Sequence, residues 1–193
     1  MIAGIILSAG KSERMGQPKA LLPFRKSTFL EHLYRILNES SLGAVRVVLG
    51  AQAERILAEI PLPPGEVVIN LDYEKGMLSS LQAGLNSLLN LEPEGVMVFP
   101  VDHPDISLPL IEIMIKEFRS SQAQIVIPAY RGRRGHPVLF GKAVFGELLR
   151  APLDKGARHV VHKFPEKVLE IETDYPGILA DIDTPEDYRN LTP

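Results

Sequence analysis

The sequence predicts an α/β protein, a three-layer sandwich around a mixed, mostly parallel sheet. Apolar runs of strand length alternate with segments that have helical spacing of apolar residues, the pattern of such a fold. The first run, residues 2–7, is apolar throughout, as expected for a strand covered on both faces. The chain has 193 residues, of which 45% are hydrophobic, enough for a single domain over 1–193 with its own core.

The first half of the chain predicts three strands and three helices. After the strand at 2–7 comes a glycine-rich loop, and Thr28 and Glu31 then have the spacing of a capping box at a helix start. Further strands are predicted at 44–50 and 66–70, and further helices at 53–60 and from about Ser79. These elements alternate in the order that a parallel sheet with crossover helices requires.

The second half continues the alternation less regularly. A strand at 96–102 ends in Asp102, and Ser107 is a candidate cap for a helix through Phe118. Strands are predicted at 124–130, 136–140 and 167–172, helices at 142–149 and 156–163, and a last helix after "DTPEDY". Ligands of such sheets bind where loops leave the carboxyl ends of the strands, so those loops are the candidate functional segments.

Composition excludes several classes of protein. The 21 basic and 24 acidic side chains give a net charge of −3, which argues against a protein that coats nucleic acid. The sequence contains no cysteine, so it offers no disulfides and no thiolate metal ligands. The apolar run at 2–7 is too short to span a membrane and lacks the basic flank of a signal peptide. We therefore expect a cytoplasmic protein without membrane partners.

The loop after the first strand contains Gly10-Lys11-Ser12, the same residues with which a P-loop motif ends. That motif would need a glycine at position 5, where the chain has Ile5 in the predicted strand. The loop still carries two glycines and three cations: Gly10, Gly16, Lys11, Arg14 and Lys19. Backbone N–H groups at glycines and nearby cations favour binding of a triphosphate, although a solvated surface loop could have the same composition.

The segment "LSAGKSERMGQPKALLPF", residues 7–24, resembles the signature loop of nucleotidyltransferases with the Rossmann-like, glycosyltransferase-A-like fold. It is most similar to the molybdenum cofactor cytidylyltransferases and departs from their pattern at Ser8. The resemblance continues in order at 47–50, 76–85, 131–140, 154–158 and 181–188, and so covers nearly the whole chain. It implies transfer of CMP from CTP to molybdopterin, with release of pyrophosphate.

The resemblance also implies which residues contact the nucleotide. Lys19 and Arg14 would hold the phosphates as catalytic residues, together with Asp102. The nucleotide-binding set would comprise Leu7, Ser8, Ala9, Gly10, Lys11, Lys19, Gly76, Ser79, Ser80 and Gly84. Ala9-Gly10, where related guanylyltransferases tend to have two glycines, favours CTP over GTP. Judged from the residues alone, Ser79 is equally well a helix cap.

A divalent ion is expected at the acidic residues. Mg²⁺ takes oxygen ligands, often one or two carboxylates together with substrate phosphates, and Mn²⁺ can replace it. The resemblance implies Asp102 as one ligand and an aspartate of "DIDTP" as the second, with Asp183 preferred to Asp181. Asp183 is also a candidate cap for a helix from Pro185. His103 stands where this family often has glutamine, and no role is assigned to it.

The second substrate is expected at two basic segments. The resemblance implies contacts with the pterin phosphate from Arg131, Arg134, His136, Lys155 and Arg158, although a basic turn is a common alternative. The product would pass to a recipient molybdoenzyme or its chaperone. Three other functions remain open: a guanylyltransferase for the same cofactor, a sugar-1-phosphate nucleotidyltransferase, and a carrier of finished cofactor without catalytic activity.

Overall fold

The computed structural model describes residues 1–191 and contains an eight-stranded sheet with helices on both faces. The last two residues of the predicted domain 1–193 lie outside the described part. The strands are β1 (Ile2–Ser8), β2 (Pro23–Phe24), β3 (Ser27–Thr28), β4 (Ala44–Leu49), β5 (Val67–Ile69), β6 (Gly95–Pro100), β7 (Ile125–Tyr130), β8 (Arg133–Arg134), β9 (Val138–Gly141) and β10 (Val168–Glu172). The predicted fold class, a mixed and mostly parallel sheet between helical layers, is confirmed.

The main sheet has the order β10-β7-β9-β6-β1-β4-β5, and β8 pairs with β7. β1 runs parallel to β4 on one side and to β6 on the other, and every residue of β1 is buried. β9 lies between β6 and β7 and is antiparallel to both. In chain order, β4 and β5 are added on one side of β1, and β6 then pairs with β1 on its other side. The carboxyl ends of β1 and β6 therefore form a topological switch point, where open α/β sheets bind ligands.

Helices cover both faces of the sheet. They are α1 (Phe29–Glu39), α2 (Ala53–Glu59), α3 (Met77–Asn86), α4 (Leu108–Ser120), α5 (Phe145–Arg150), α6 (Arg158–Lys163) and α7 (Pro185–Asn190). One core contains Ile2 and Ile6 with residues of α1, α2 and α4. The other core contains Ile5 and Leu7 with residues of α3, α5 and α6. Alternate residues of β1 thus point to opposite faces, as the two-residue period of a strand requires.

The capping predictions had mixed outcomes. Thr28 and Glu31 form the predicted capping box at α1, with Thr28 Oγ1 accepting from Glu31 N over 3.3 Å. Ser107 precedes α4, but its side chain makes no capping hydrogen bond. Ser79, which was an alternative candidate for a helix cap, lies inside α3, because α3 begins two residues earlier, at Met77 after Gly76. The two-stranded ribbon of β2 and β3 was not predicted, since its strands are only two residues long.

No helix within residues 1–191 combines the length and the apolar character that crossing a membrane requires.

Candidate functional site

A cavity of about 510 Å³ opens at the carboxyl ends of β1 and β6. Its walls come from the end of β1, the loop that follows β1, the segment before and within α3, and the turn after β6. The lining residues predicted from sequence are Leu7, Ser8, Ala9, Gly10, Lys11, Arg14, Lys19, Gly76, Ser80, Asp102 and Asp183. The sheet order brings these segments together, because β1 and β6 are direct neighbours with Leu7 paired to Pro100.

The loop after β1 is folded on itself along the cavity. Ser12 and Gly16 flank a 3-10 turn at Glu13–Met15, with φ angles of 53° and 69°. A positive φ is unstrained for glycine, which explains a glycine at position 16. The backbone N–H of Lys19 donates to Ser12 Oγ over 3.1 Å and closes the loop. A side-chain carbon added at Gly10 would meet no atom within 4 Å, so Gly10 leaves open space beside the cavity.

Lys19 lies between two carboxylates at the floor of the cavity. Its Nζ donates to Asp183 Oδ1 over 2.6 Å and to Asp102 Oδ2 over 3.1 Å, and its side chain is only 11% exposed. Burial lowers the pKa of Lys19, but attraction by Asp102 and Asp183 outweighs burial and raises that pKa above 10.5. Lys19 therefore stays charged at neutral pH.

Asp183 binds a second cation with its other oxygen. Arg14 donates to Asp183 Oδ2 over 2.6 Å, so both oxygens of Asp183 are in ion pairs. The hydrogen bond from Lys19, and then Arg14, hold the pKa of Asp183 below its ordinary value of 3.8. At the rim of the cavity Lys11 pairs with Glu74 over 2.7 Å. All three predicted phosphate-binding cations thus have carboxylate partners.

Three potential metal ligands lie together beside the turn after β6 and form the acidic cluster. Asp102, His103 and Asp181 each place a donor atom within 4.8 Å of the other two. The backbone N–H of Ile182 donates to the carbonyl of Asp102 over 2.9 Å, which fixes the segment of Asp181 against the turn after β6. Burial, followed by repulsion from Asp102 and Asp183, raises the pKa of Asp181 above 3.8. This geometry favours Asp181 over Asp183 as the partner of Asp102.

Two histidine rings pack against each other next to Asp102. The ring centroids of His103 and His136 lie 4.6 Å apart, and the Nδ1 atom of each is buried without a hydrogen-bond partner. Burial, and secondarily His103, lowers the pKa of His136 to about 4, and burial likewise lowers the pKa of His103. The backbone N–H of His136 donates to Ile178 O over 3.0 Å, which joins this loop to the segment before Asp181.

This arrangement of a cation-rich loop and acidic turns at a switch point matches what a nucleotidyl transfer requires. A family model, the MobA-like NTP transferase domain, matches residues 4–168. The chain belongs to the MobA-like NTP transferase family. It is accordingly a nucleotidyltransferase by family, which confirms the predicted reaction class without specifying the nucleotide.

Relatives of this MobA-like chain carry different names. It is 30% identical over 197 residues to a nicotine blue oxidoreductase of Paenarthrobacter nicotinovorans, covering 98% of this chain and 96% of the relative. It is 28% identical over 134 residues to a probable molybdenum cofactor guanylyltransferase of Bacillus mycoides strain KBAB4, covering 68% of this chain and 64% of the relative. The latter name specifies a guanylyl group, whereas the sequence predicted a cytidylyl group.

A solved structure matches the fold over almost the whole chain. Rv0371c of Mycobacterium tuberculosis H37Rv is 31% identical, with a TM-score of 0.84 and coverage of 98% of this chain and 96% of Rv0371c. A second crystal structure, of Rv0371c in complex with manganese, has 28% identity, a TM-score of 0.78 and coverage of 98% and 97% of the two chains. The manganese complex and the acidic cluster of this MobA-like chain together indicate a divalent metal.

Two residues of the predicted nucleotide-binding set lie away from the cavity lining of this MobA-like chain. Ser79 is buried, accepts from Asn70 Nδ2 over 2.9 Å, and directs its hydroxyl to the carbonyls of Asp72 and Gly76. A side-chain carbon at Gly84 would come within 2.8 Å of Ile5 Cγ2. Gly84 does not line the cavity, and its lack of a side chain lets α3 approach the sheet. Its contact with nucleotide stays a prediction.

The capping role considered for Asp183 is corrected. α7 is capped by Thr184, whose Oγ1 accepts from Asp187 N over 3.2 Å, while Asp187 Oδ2 accepts from Thr184 N over 2.7 Å. Asp187 Oδ2 also accepts from the backbone N–H of Asp183 over 3.1 Å. The cap therefore holds the backbone of Asp183 and leaves its side chain for Lys19 and Arg14.

The residues predicted to bind the second substrate do not line the 510 Å³ cavity, although Arg131 lines a separate cavity of about 500 Å³ beside Tyr130 and Glu172. The predicted residues are Arg131, Arg134, His136, Lys155 and Arg158. Arg134 donates from Nη2 to Glu170 Oε1 over 2.6 Å, and the guanidinium of Arg131 lies 5.1 Å from the centroid of the Tyr130 ring. Of the five, His136 contacts the acidic cluster, through His103. His103 had no role predicted from the sequence, although its position directly after Asp102 could have indicated one.

Proposed function

We propose that this protein transfers a nucleoside monophosphate from a nucleoside triphosphate to the terminal phosphate of molybdopterin. The bond between the α and β phosphates breaks, a bond forms from the pterin phosphate oxygen to the α phosphorus, and pyrophosphate leaves. The observation that carries the proposal is the position of Lys19, 3.1 Å from Asp102, in the cavity at the switch point of a MobA-like fold.

The cations of the first loop would act on the phosphates. Lys19 and Arg14 are already in the cavity, and each is held by Asp183. A triphosphate in the cavity supplies further anionic partners for both side chains and for the backbone N–H groups near Gly10. Lys19 and Arg14 then stabilise the charge that develops on the departing pyrophosphate. Positioning and charge neutralisation suffice, because the attacking phosphate oxygen is already anionic near neutral pH.

The acidic cluster fits a divalent ion. Asp102 and Asp181 offer carboxylate oxygens within 4.8 Å of one another and of His103, and carboxylates are the ligands that Mg²⁺ and Mn²⁺ take in nucleotide enzymes. We propose Asp102 with Asp181 as the protein ligands, and Asp183 as the residue that orients Lys19 and Arg14. When bound, the ion supplies neutralisation of phosphate charge. Mg²⁺ is the proposed ion, and Mn²⁺ a substitute for it.

Two observations favour different nucleotides. The relative from Bacillus mycoides is named a guanylyltransferase, which supports GTP as the donor. Ala9 supports CTP, because the resemblance to the cytidylyltransferases includes Ala9-Gly10, where related guanylyltransferases tend to have two glycines. Guanylyl transfer is the candidate that the relatives favour, and cytidylyl transfer is the second candidate. The recipient of the product would be a molybdoenzyme or its chaperone.

A pyrophosphate-release assay tests the proposal. The purified protein is incubated with GTP, CTP or ATP, with Mg²⁺ or Mn²⁺, and with or without molybdopterin. We expect release only with molybdopterin and with one of GTP and CTP strongly preferred. Binding of molybdopterin without release under any triphosphate would identify a carrier and contradict the proposal.

A further inference from the structure

We propose that His103 is a third protein ligand of the divalent ion, through a nitrogen of its imidazole ring. The inference rests on the proposed function, because it concerns the ion that Asp102 and Asp181 would hold. It goes beyond that function, because it makes the site a mixed nitrogen and oxygen site. Such a site should discriminate between metals in a way that carboxylates alone do not.

The positions of the donor atoms support a three-residue site. A ring nitrogen of His103 and oxygens of Asp102 and Asp181 all lie within 4.8 Å of one another. Donors around an octahedral ion with bonds of about 2.1 Å lie about 3 Å apart when adjacent and about 4.2 Å apart when opposite. To reach those distances, the donor atom of each residue has to move by about 1 Å or less. Rotation about the side-chain bonds can provide this movement.

The backbone holds the three residues together before any ion binds. The N–H of His103 donates to Pro100 O over 3.1 Å, and the N–H of Val101 donates to Leu7 O over 3.0 Å. The N–H of Ile182 donates to Asp102 O over 2.9 Å. The turn after β6 is therefore tied both to β1 and to the segment of Asp181. A preorganised set of ligands loses little conformational freedom on binding an ion.

The imidazole of His103 has no competing partner. Among residues 1–191 its Nδ1 is buried and without a hydrogen bond, and no ion pair or side-chain hydrogen bond involves the ring. Buried polar nitrogens in proteins are almost always paired, so an unpaired ring beside two carboxylates points to a ligand. The ring of His136, 4.6 Å away between centroids, packs against His103 and restricts its rotation. His136 is thus a positioning residue for His103.

An imidazole ligand changes which metal the site prefers. Mg²⁺ takes oxygen donors almost exclusively, whereas Mn²⁺ and later first-row ions accept imidazole as well as carboxylate. Removal of the imidazole should therefore weaken Mn²⁺ binding and leave Mg²⁺ binding nearly unchanged. The ratio of Mn²⁺ to Mg²⁺ affinity is the property that His103 would set.

The test uses Mn²⁺ alone with the full chain, without nucleotide or pterin. Pulsed electron paramagnetic resonance detects a directly coordinated nitrogen, and titration of the free Mn²⁺ signal gives its dissociation constant. The variants are His103→Gln and the control His162→Gln, an exposed histidine on α6. We expect a nitrogen coupling in wild type and His162→Gln that is lost in His103→Gln. The Mn²⁺ dissociation constant should rise about tenfold or more in His103→Gln, and that of Mg²⁺ less than about threefold.

Absence of nitrogen coupling in the wild type overturns the inference, and this result needs no variant. Coupling that persists in His103→Gln, or an unchanged Mn²⁺ dissociation constant, overturns it as well. A thermal unfolding scan checks that His103→Gln folds, and His103→Asn replaces it if it does not. Because no nucleotide is present, a failed pyrophosphate-release assay contradicts the proposed function without affecting this result.

Discussion

Lys19 donates from Nζ to Oδ1 of Asp183 over 2.6 Å, a contact that joins residues 164 positions apart in the sequence. The contact places a cation of the first loop against an acid of the last. Asp183 also holds Arg14, so one carboxylate orients both cations at the cavity.

Replacement of Lys19 by alanine should weaken triphosphate binding. Lys19 is the least exposed cation in the cavity, and a hydrogen bond to a charged group contributes roughly 1.5–3 kcal/mol. We therefore expect the dissociation constants of GTP and CTP to rise about 10- to 150-fold in calorimetric titrations with Mg²⁺ present. Lys26→Ala, an exposed lysine between β2 and β3, is the matched control. Equal affinities in Lys19→Ala and wild type would exclude Lys19 from phosphate binding.

Asp102→Asn should lower turnover far more than it lowers stability. The substitution keeps the shape of the side chain but removes the charge that pairs with Lys19 and would hold the ion. We expect pyrophosphate release to slow by on the order of 100-fold or more, the effect of losing one preorganised electrostatic element. Asp105→Asn is the control, because Asp105 lies on the same segment but bonds to Tyr175 Oη over 2.6 Å. Turnover in Asp102→Asn within a few-fold of the control would rule out the assigned role.

Thr184→Ala should affect both stability and nucleotide binding. It removes the cap of α7 and the two hydrogen bonds of the Thr184 hydroxyl that help to anchor Asp187, which accepts the backbone N–H of Asp183 over 3.1 Å. The loss of a cap costs about 1 kcal/mol in the free energy of unfolding. Thr28→Ala removes the same kind of capping box from α1 and should cost a similar amount.

The two capping variants should differ in nucleotide affinity. Only Thr184→Ala should raise the triphosphate dissociation constant, by about two- to fivefold, because only Thr184 lies next to the residue that orients Lys19 and Arg14. Urea unfolding gives the stabilities and calorimetry gives the affinities. Equal affinities in the two variants would show that the α7 cap does not position Asp183.

His32 should make the free energy of unfolding depend on pH. Its side chain is 1% exposed, its Nε2 is unpaired, and its ring packs edge-on against Phe24. Burial, followed by repulsion from Arg25 and Arg35, lowers the pKa of His32 from 6.5 to about 4. The unfolded chain therefore binds a proton at His32 below about pH 6.5, whereas the folded chain does so only near pH 4. Stability should fall as pH falls through this window.

Urea unfolding between pH 7 and pH 4.5 measures that loss. At 1.36 kcal/mol per pH unit, wild type should lose about 2–3 kcal/mol more than His32→Leu over this range. His162→Leu, which changes an exposed histidine, should follow wild type. Parallel curves for wild type and His32→Leu would mean that His32 titrates alike in the folded and unfolded chains.

The sequence by itself determined the order of the helices and the longer strands, the fold class and the loop that carries the cations. Apolar periodicity is a local property, so strands such as 44–50 and 124–130 could be placed to within about a residue. The capping box of Thr28 and Glu31 could also be predicted from the sequence, because both of its residues lie within one helical turn.

Only the tertiary structure decided which of these residues meet. The antiparallel insertion of β9 between β6 and β7, the choice between Asp181 and Asp183 beside Asp102, and the contact of His103 with His136 depend on the order of strands in the sheet. That order follows from how all the helices and strands bury their apolar faces together, a property of the whole chain that no local pattern specifies. For the same reason Gly84, which resembles a ligand-binding glycine in sequence, packs against Ile5 and Val48 in the fold.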